Sequence, residues 1–158
     1  MTIKKLFFTI LFSLTVAYAS AQQGISLEDA RKAGVGSDEL DKTYDSALST
    51  VETSVTGEKK DEALLAAWRK LLKDFGAFLK KNDFEWKKDA HCVNKVYFTP
   101  EGKITYFLYY LPSLDKKEEA EFKRLLNIFI KDYTFDYTAK KQFTQCGSTK
   151  FKSNIAKK

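Results

Sequence analysis

The chain has 158 residues, 44% of them hydrophobic and 15% aromatic, which excludes a wholly disordered protein and allows a sizeable core in one domain. Its 27 basic and 21 acidic side chains give a net charge of +6, too small to argue for a nucleic-acid partner.

Residues 1–21 join a basic start (Lys4, Lys5), an apolar run from Leu6 to Val16, and small residues at Ala19 and Ala21. This is the layout of a cleaved signal peptide with its A-x-A site at Ala19-Ser20-Ala21. A membrane anchor needs about 20 apolar residues. The run here is shorter and is broken by Thr9, Ser13 and Thr15. The expected mature chain begins near Gln22, is periplasmic or secreted, and has no membrane span.

Without Lys4 and Lys5 the net charge falls to +4, and it is unevenly spread. Residues 22–57 carry 7 acidic and 3 basic side chains, whereas residues 58–158 carry 14 acidic and 22 basic. Docking of one part on the other is the simpler account; a basic surface for an anionic partner is the sharper one.

Residues 22–36 are small and polar and read as a flexible leader, with a candidate capped turn at Ser26-Leu27-Glu28-Asp29. From Asp38 to Val55 the apolar positions Leu40, Tyr44, Leu48, Val51 and Val55 recur at helical spacing behind Ser37, a credible N-cap. A stronger stripe of Leu64, Leu65, Trp68, Leu71, Leu72, Phe75 and Leu79 predicts a second helix ending near Lys81. Its opposite face is charged. Such a stripe suits a membrane surface or a partner helix, but it is more often the core side of an amphipathic helix.

Residues 92–99 and 103–111 are rich in β-branched and aromatic side chains and flank Thr99-Pro100-Glu101-Gly102. Pro at the second turn position and Gly where positive φ is useful make this a hairpin. Pro112 ends the second strand, and Asp115-Lys116-Lys117-Glu118 offers a capping box for a helix with Phe122, Leu125, Leu126, Phe129 and Tyr133 on its apolar face. Residues 141–151 read as a last strand, and 152–158 as a disordered basic tail. The fold class is α+β. A small, antiparallel-rich sheet with a ββαβ core over 92–151 is covered by amphipathic helices in a two-layer sandwich. Two helices over 37–82 precede it, and residues 37–151 form one domain.

Val96-Tyr97-Phe98, Glu101-Gly102-Lys103-Ile104 and Phe135 after the helix resemble the C-terminal domain of TonB-type energy transducers in the order of elements. The resemblance implies a similar small ββαβ fold. It does not carry receptor binding, because the Ser-Ser-Gly after the second strand, the Pro-rich spacer and the N-terminal anchor of that family are absent. The leader followed by Gln22-Gln23, with a Lys- and Tyr-rich body, also resembles small exported proteins of Bacteroidetes.

Cys92 and Cys146 fall in strands of a chain expected in an oxidising compartment, so a disulfide is the expected state. It would close a loop worth roughly 3 to 4 kcal/mol on chain entropy. His91 beside Cys92 suggests a metal site or a thiol–imidazole dyad, but zinc needs three or four protein ligands and the sequence holds no second His. Glu118, Glu119, Glu121, Asp132 and Asp136 alternate with lysines as on a solvated, ion-paired face. No catalytic constellation, metal site or cofactor motif is recognised, so no catalytic residue is assigned.

The aromatics remain. Alternation turns Tyr106 and Tyr110 to one side of the second strand and Tyr109 to the other. Either one set is an exposed binding face or a second layer hides both. The leading expectation is a non-catalytic binding module contacting a protein, peptide or envelope ligand. A small hydrolase or redox enzyme and a structural envelope protein are the alternatives.

Overall fold

The computed structural model describes residues 22–47 and 62–154. The expected signal peptide, residues 48–55 of the first expected helix and the end of the tail lie outside the described residues. The fold is α+β, built on one mixed five-stranded sheet.

Its centre is the hairpin of β3 (Ala90–Phe98) and β4 (Ile104–Tyr110). The turn closes with Gly102 N–H on Thr99 O at 3.0 Å, and Gly102 has a φ of 85°. A side chain there would also meet the Phe135 carbonyl at 2.5 Å, so only glycine fits. After β4 comes α4 (Lys116–Asp132), started by the expected capping box. The Asp115 side chain accepts from the N–H groups of Lys117 and Glu118, and Glu118 Oε2 accepts from Asp115 N–H at 2.9 Å. The chain then returns as β5 (Phe143–Phe151), antiparallel to β3 along its full length.

Helix α3 (Glu62–Lys81) and α4 cover one sheet face. Leu64, Trp68, Leu71, Phe75 and Leu79 bury the expected stripe of α3 against Val96, Phe98, Phe107, Tyr109 and Phe143. Phe75 joins the two helices, its ring 5.5 Å from Phe122 and 5.1 Å from Phe129. The stripe is therefore core.

The N-terminal region departs from expectation. Residues expected as a loose leader form β1 (Gln23–Ser26), parallel to β4, and the capped turn expected at Ser26 opens a short helix, α1 (Leu27–Lys32). The helix expected to begin at residue 38 is a single turn, α2 (Ser37–Leu40), followed by β2 (Asp45–Ser46) parallel to β5. The strand order is thus β1-β4-β3-β5-β2. Strands of four and two residues are too short to show alternation. The apolar positions read as helical spacing instead serve separate contacts: Leu40 and Tyr44 pack with Ile25, Ala30, Tyr97 and Leu108 on the second sheet face.

The segment from β1 to β2 is thereby a partial third layer. Its acidic side chains meet basic ones of the remainder: Asp41 with Lys95, Asp29 with Lys123 at 3.3 Å, and Asp45 with Lys141 at 3.5 Å. Docking of the acidic part on the basic part accounts for this charge asymmetry. At the other terminus the tail is ordered further than expected. Asn154 accepts from Trp86 N–H at 2.6 Å and donates to Phe84 O at 3.1 Å, beside the stacked rings of Trp86 and Phe151.

Candidate functional site

The expected disulfide does not form. Cys146 lies opposite Lys95 in the β3–β5 register, and Cys92 lies opposite Thr149. Paired residues share a sheet face and neighbours along a strand alternate. Cys92 therefore points into the helical layer while Cys146, on the face of Lys95, points away from it. Cys92 is buried, its thiol pushed up to about 12 by loss of solvent, and Cys146 is exposed. Reading both as strand residues was right; their parity, 54 positions apart in strands of unknown register, was invisible to the sequence.

His91 is exposed opposite Lys150. Among the described residues, no group of three His, Cys, Asp or Glu side chains is placed to hold a metal. No helix among them is long and apolar enough to cross a membrane. Of the carboxylates expected on a solvated, ion-paired face, Asp132 and Asp136 are exposed and Glu121 pairs with Arg124 at 2.7 Å, whereas the largely covered Glu118 pairs with Lys87 at 2.7 Å. A cleft of about 420 Å³ opens at the start of α4, lined by Lys87, Ser113, Asp115 and Glu118 among others. Its two carboxylates are engaged in the cap, and Lys87 holds Glu118 below the usual carboxylate range.

The tyrosines separate as alternation requires. Tyr109 is fully buried in the helical layer, its ring 5.0 Å from Phe122 and its hydroxyl donating to Glu119 at 3.4 Å. Burial first, and Glu119 second, push this phenol well above its ordinary range. Tyr109 belongs to the core. Tyr106 faces the other way and is partly covered by the N-terminal layer, with its ring 6.5 Å from that of Tyr97. Tyr97 donates to Asp41 at 3.0 Å and meets Tyr44 edge-on at 5.1 Å. Tyr110, past the end of the β1 pairing, is 55% exposed.

Directly opposite Tyr110 on β3 is Val93, 41% exposed, and opposite Val93 on β5 is Ser148. Tyr110, Val93 and Ser148 thus form one uncovered row across three strands. The next row toward the N-terminal layer is Leu108, Lys95 and Cys146; the outer one is His91 and Lys150. Among the described residues, Val93, Tyr110 and Ile128 are the exposed large hydrophobics, and two of these three are cross-strand partners here. Val93 was not singled out from the sequence, although its place in a strand next to a tyrosine-rich one was the available signal.

The row runs out to an edge. Asp45 N–H donates to Gln142 O at 3.2 Å and Ala47 N–H to Thr144 O at 3.0 Å, so the even-numbered residues of this strand turn their backbone groups outward. Among the described residues, strand β2 pairs with Phe143 and Thr144. Beyond it, the Cys146 C=O accepts from Gln145 Nε2 at 2.9 Å, and Ser148 and Lys150 have no strand partner on this side among the described residues.

Compared with protein-family models, curated protein sequences and solved structures, the chain finds no match.

Proposed function

We propose that the protein is an exported, non-catalytic binding module of the cell envelope or the secreted fraction that contacts its partner through the uncovered row of Tyr110 and Val93. The observation that carries this reading is the pairing of two exposed apolar side chains on a sheet face that α1 and α2 cover only in part. Isolated exposed hydrophobics are ordinary; adjacent ones on a flat strand surface offer a ring for stacking and an apolar floor beside it. Export is supported by Lys4-Lys5, the Leu6–Val16 run and Ala19-Ser20-Ala21. A protein or peptide suits the row better than a small molecule, because the surface is open and flat where small-molecule sites are concave.

The test is capture from the envelope of the native host with wild type, Tyr110→Ala and Val93→Ser. Specific capture that falls in both variants, with unchanged melting, supports the reading. Undiminished capture by both overturns it.

A further inference from the structure

We infer that the row of Val93 and Tyr110 takes a segment of another protein in which an apolar side chain stands beside a carboxylate, the carboxylate meeting Lys150. This rests on the binding-module reading and names the partner's chemistry.

The covered half of the same sheet face shows how such a segment is held. Leu40 of α2 is buried with Tyr97 and Leu108. Asp41, the next residue, accepts from the Tyr97 hydroxyl at 3.0 Å and pairs with Lys95. The Lys95 ammonium also stands 5.8 Å from the centre of the Tyr97 ring. The hairpin thus presents a ring and an aliphatic floor with a lysine alongside, and the group that covers them is a leucine followed by an aspartate.

The uncovered half repeats these elements, one acid short. Tyr110 and Val93 are cross-strand partners, 55% and 41% exposed, and supply the ring and the floor. Lys150 lies on the same face, one row beyond Ser148, or about 7 Å along the strand. It shares one carboxylate oxygen, Asp89 Oδ2, with Lys152, at 3.3 and 3.1 Å. The residue directly opposite Lys150 is His91, which brings no acid. Two lysines on one acid leave a positive charge beside an apolar pair, in the part of the chain where 22 basic side chains outnumber 14 acidic ones. A partner carboxylate meets complementary charge there, whereas a lysine meets like charge. A second copy of the chain cannot offer its own leucine–aspartate pair, because its Leu40 is already buried.

The probe is a blocked hexapeptide of glycine and serine with Leu-Asp at its centre, titrated into 15N-labelled protein, with Leu-Lys and Ser-Asp versions as controls. The expected result is saturable shifts at the amides of Val93, Tyr110 and Lys150, with a Kd on the order of 1 mM for the Leu-Asp peptide. Both controls should bind at least about fivefold more weakly, one for want of charge and one for want of apolar area. Lys150→Glu should reverse the order of the Leu-Asp and Leu-Lys peptides. Lys150→Gln, which sets no new charge beside Asp89, should erase that order and keep the melting transition. The inference is overturned by unchanged amides at roughly 5 mM Leu-Asp peptide, by equal affinity for either control, or by an order that survives Lys150→Gln. Concentration-dependent dimerisation that shifts the same amides without peptide overturns it too. Equal affinity for Leu-Asp and Leu-Lys, lost in Tyr110→Ala, leaves the face reading standing. A Leu-Asp preference lost in Lys150→Gln but untouched in Tyr110→Ala and Val93→Ser overturns the face reading as well.

Discussion

Asn127 stands in for a missing strand at Gly24, accepting from its N–H at 2.9 Å and donating to its C=O at 2.8 Å. The fit is close: a Cβ on Gly24 would lie 2.7 Å from the Leu126 side chain. Helix α4 therefore closes the β1 edge with an amide that copies a strand's donor and acceptor. Asn127→Ala should destabilise the protein by about 1 to 3 kcal/mol, because two backbone groups lose their partner. It should also raise concentration-dependent association through β1. Chemical denaturation and light scattering check the two effects, and unchanged stability would show that water replaces the amide without cost.

Tyr109 and Tyr110 are neighbours in sequence with opposite surroundings, one fully buried and one 55% exposed. Tyr109→Ala should cost about 3 to 5 kcal/mol, as for other buried aromatic truncations. Tyr110→Ala should stay within about 0.5 kcal/mol. Tyr106→Ala should fall between them. Thermal melts of the three variants decide, and a large loss at position 110 would place that ring in the core.

The thiols should behave as two unequal free groups. In native protein Cys146 should react with a thiol reagent at once. Cys92 should react only on unfolding, held back by burial and a thiol pushed up to about 12. Unfolded, unreduced protein should titrate two thiols; none would restore the disulfide expected from the compartment.

Much of this fold was legible because its signals are local and repeated. The stripe of α3 runs from Leu64 to Leu79, about four turns, Asp115 and Glu118 announce their cap, and Gly102 marks a turn only glycine can make. The two edge strands were hidden because β1 and β2 owe their form to partners at Tyr106–Tyr109 and Phe143–Thr144, far along the chain. The candidate site was half legible. Alternation alone separated Tyr109 from Tyr106 and Tyr110, but which face stays uncovered depends on where α1 and α2 dock. The cysteine pairing failed for the same reason, since register decides parity and register is set in three dimensions.

Acid should loosen the end of β5 in a defined window. The Asp89 carboxylate is held down at about 2, first by the N–H of Ser153 and then by Lys152 and Lys150. Its folded value lies below its unfolded one, near 4. Its contribution is therefore fully present above about pH 4 and is lost as pH falls through about 2. A carboxylate NMR titration should give a midpoint near 2 for Asp89, and the stability gap to Asp89→Asn should close over the same window. An ordinary midpoint would mean that the Ser153 and lysine contacts are not held in solution.

The central claim, that the uncovered row at Tyr110 and Val93 is the contact surface, is tested most directly by site-specific photo-crosslinking in the native host. A crosslinking residue is placed at position 110 and, for comparison, at Ile128, an equally apolar exposed position on α4. The account predicts a discrete adduct of one mass from position 110 and none from position 128. Adducts from position 128 alone, or from neither position, would contradict it.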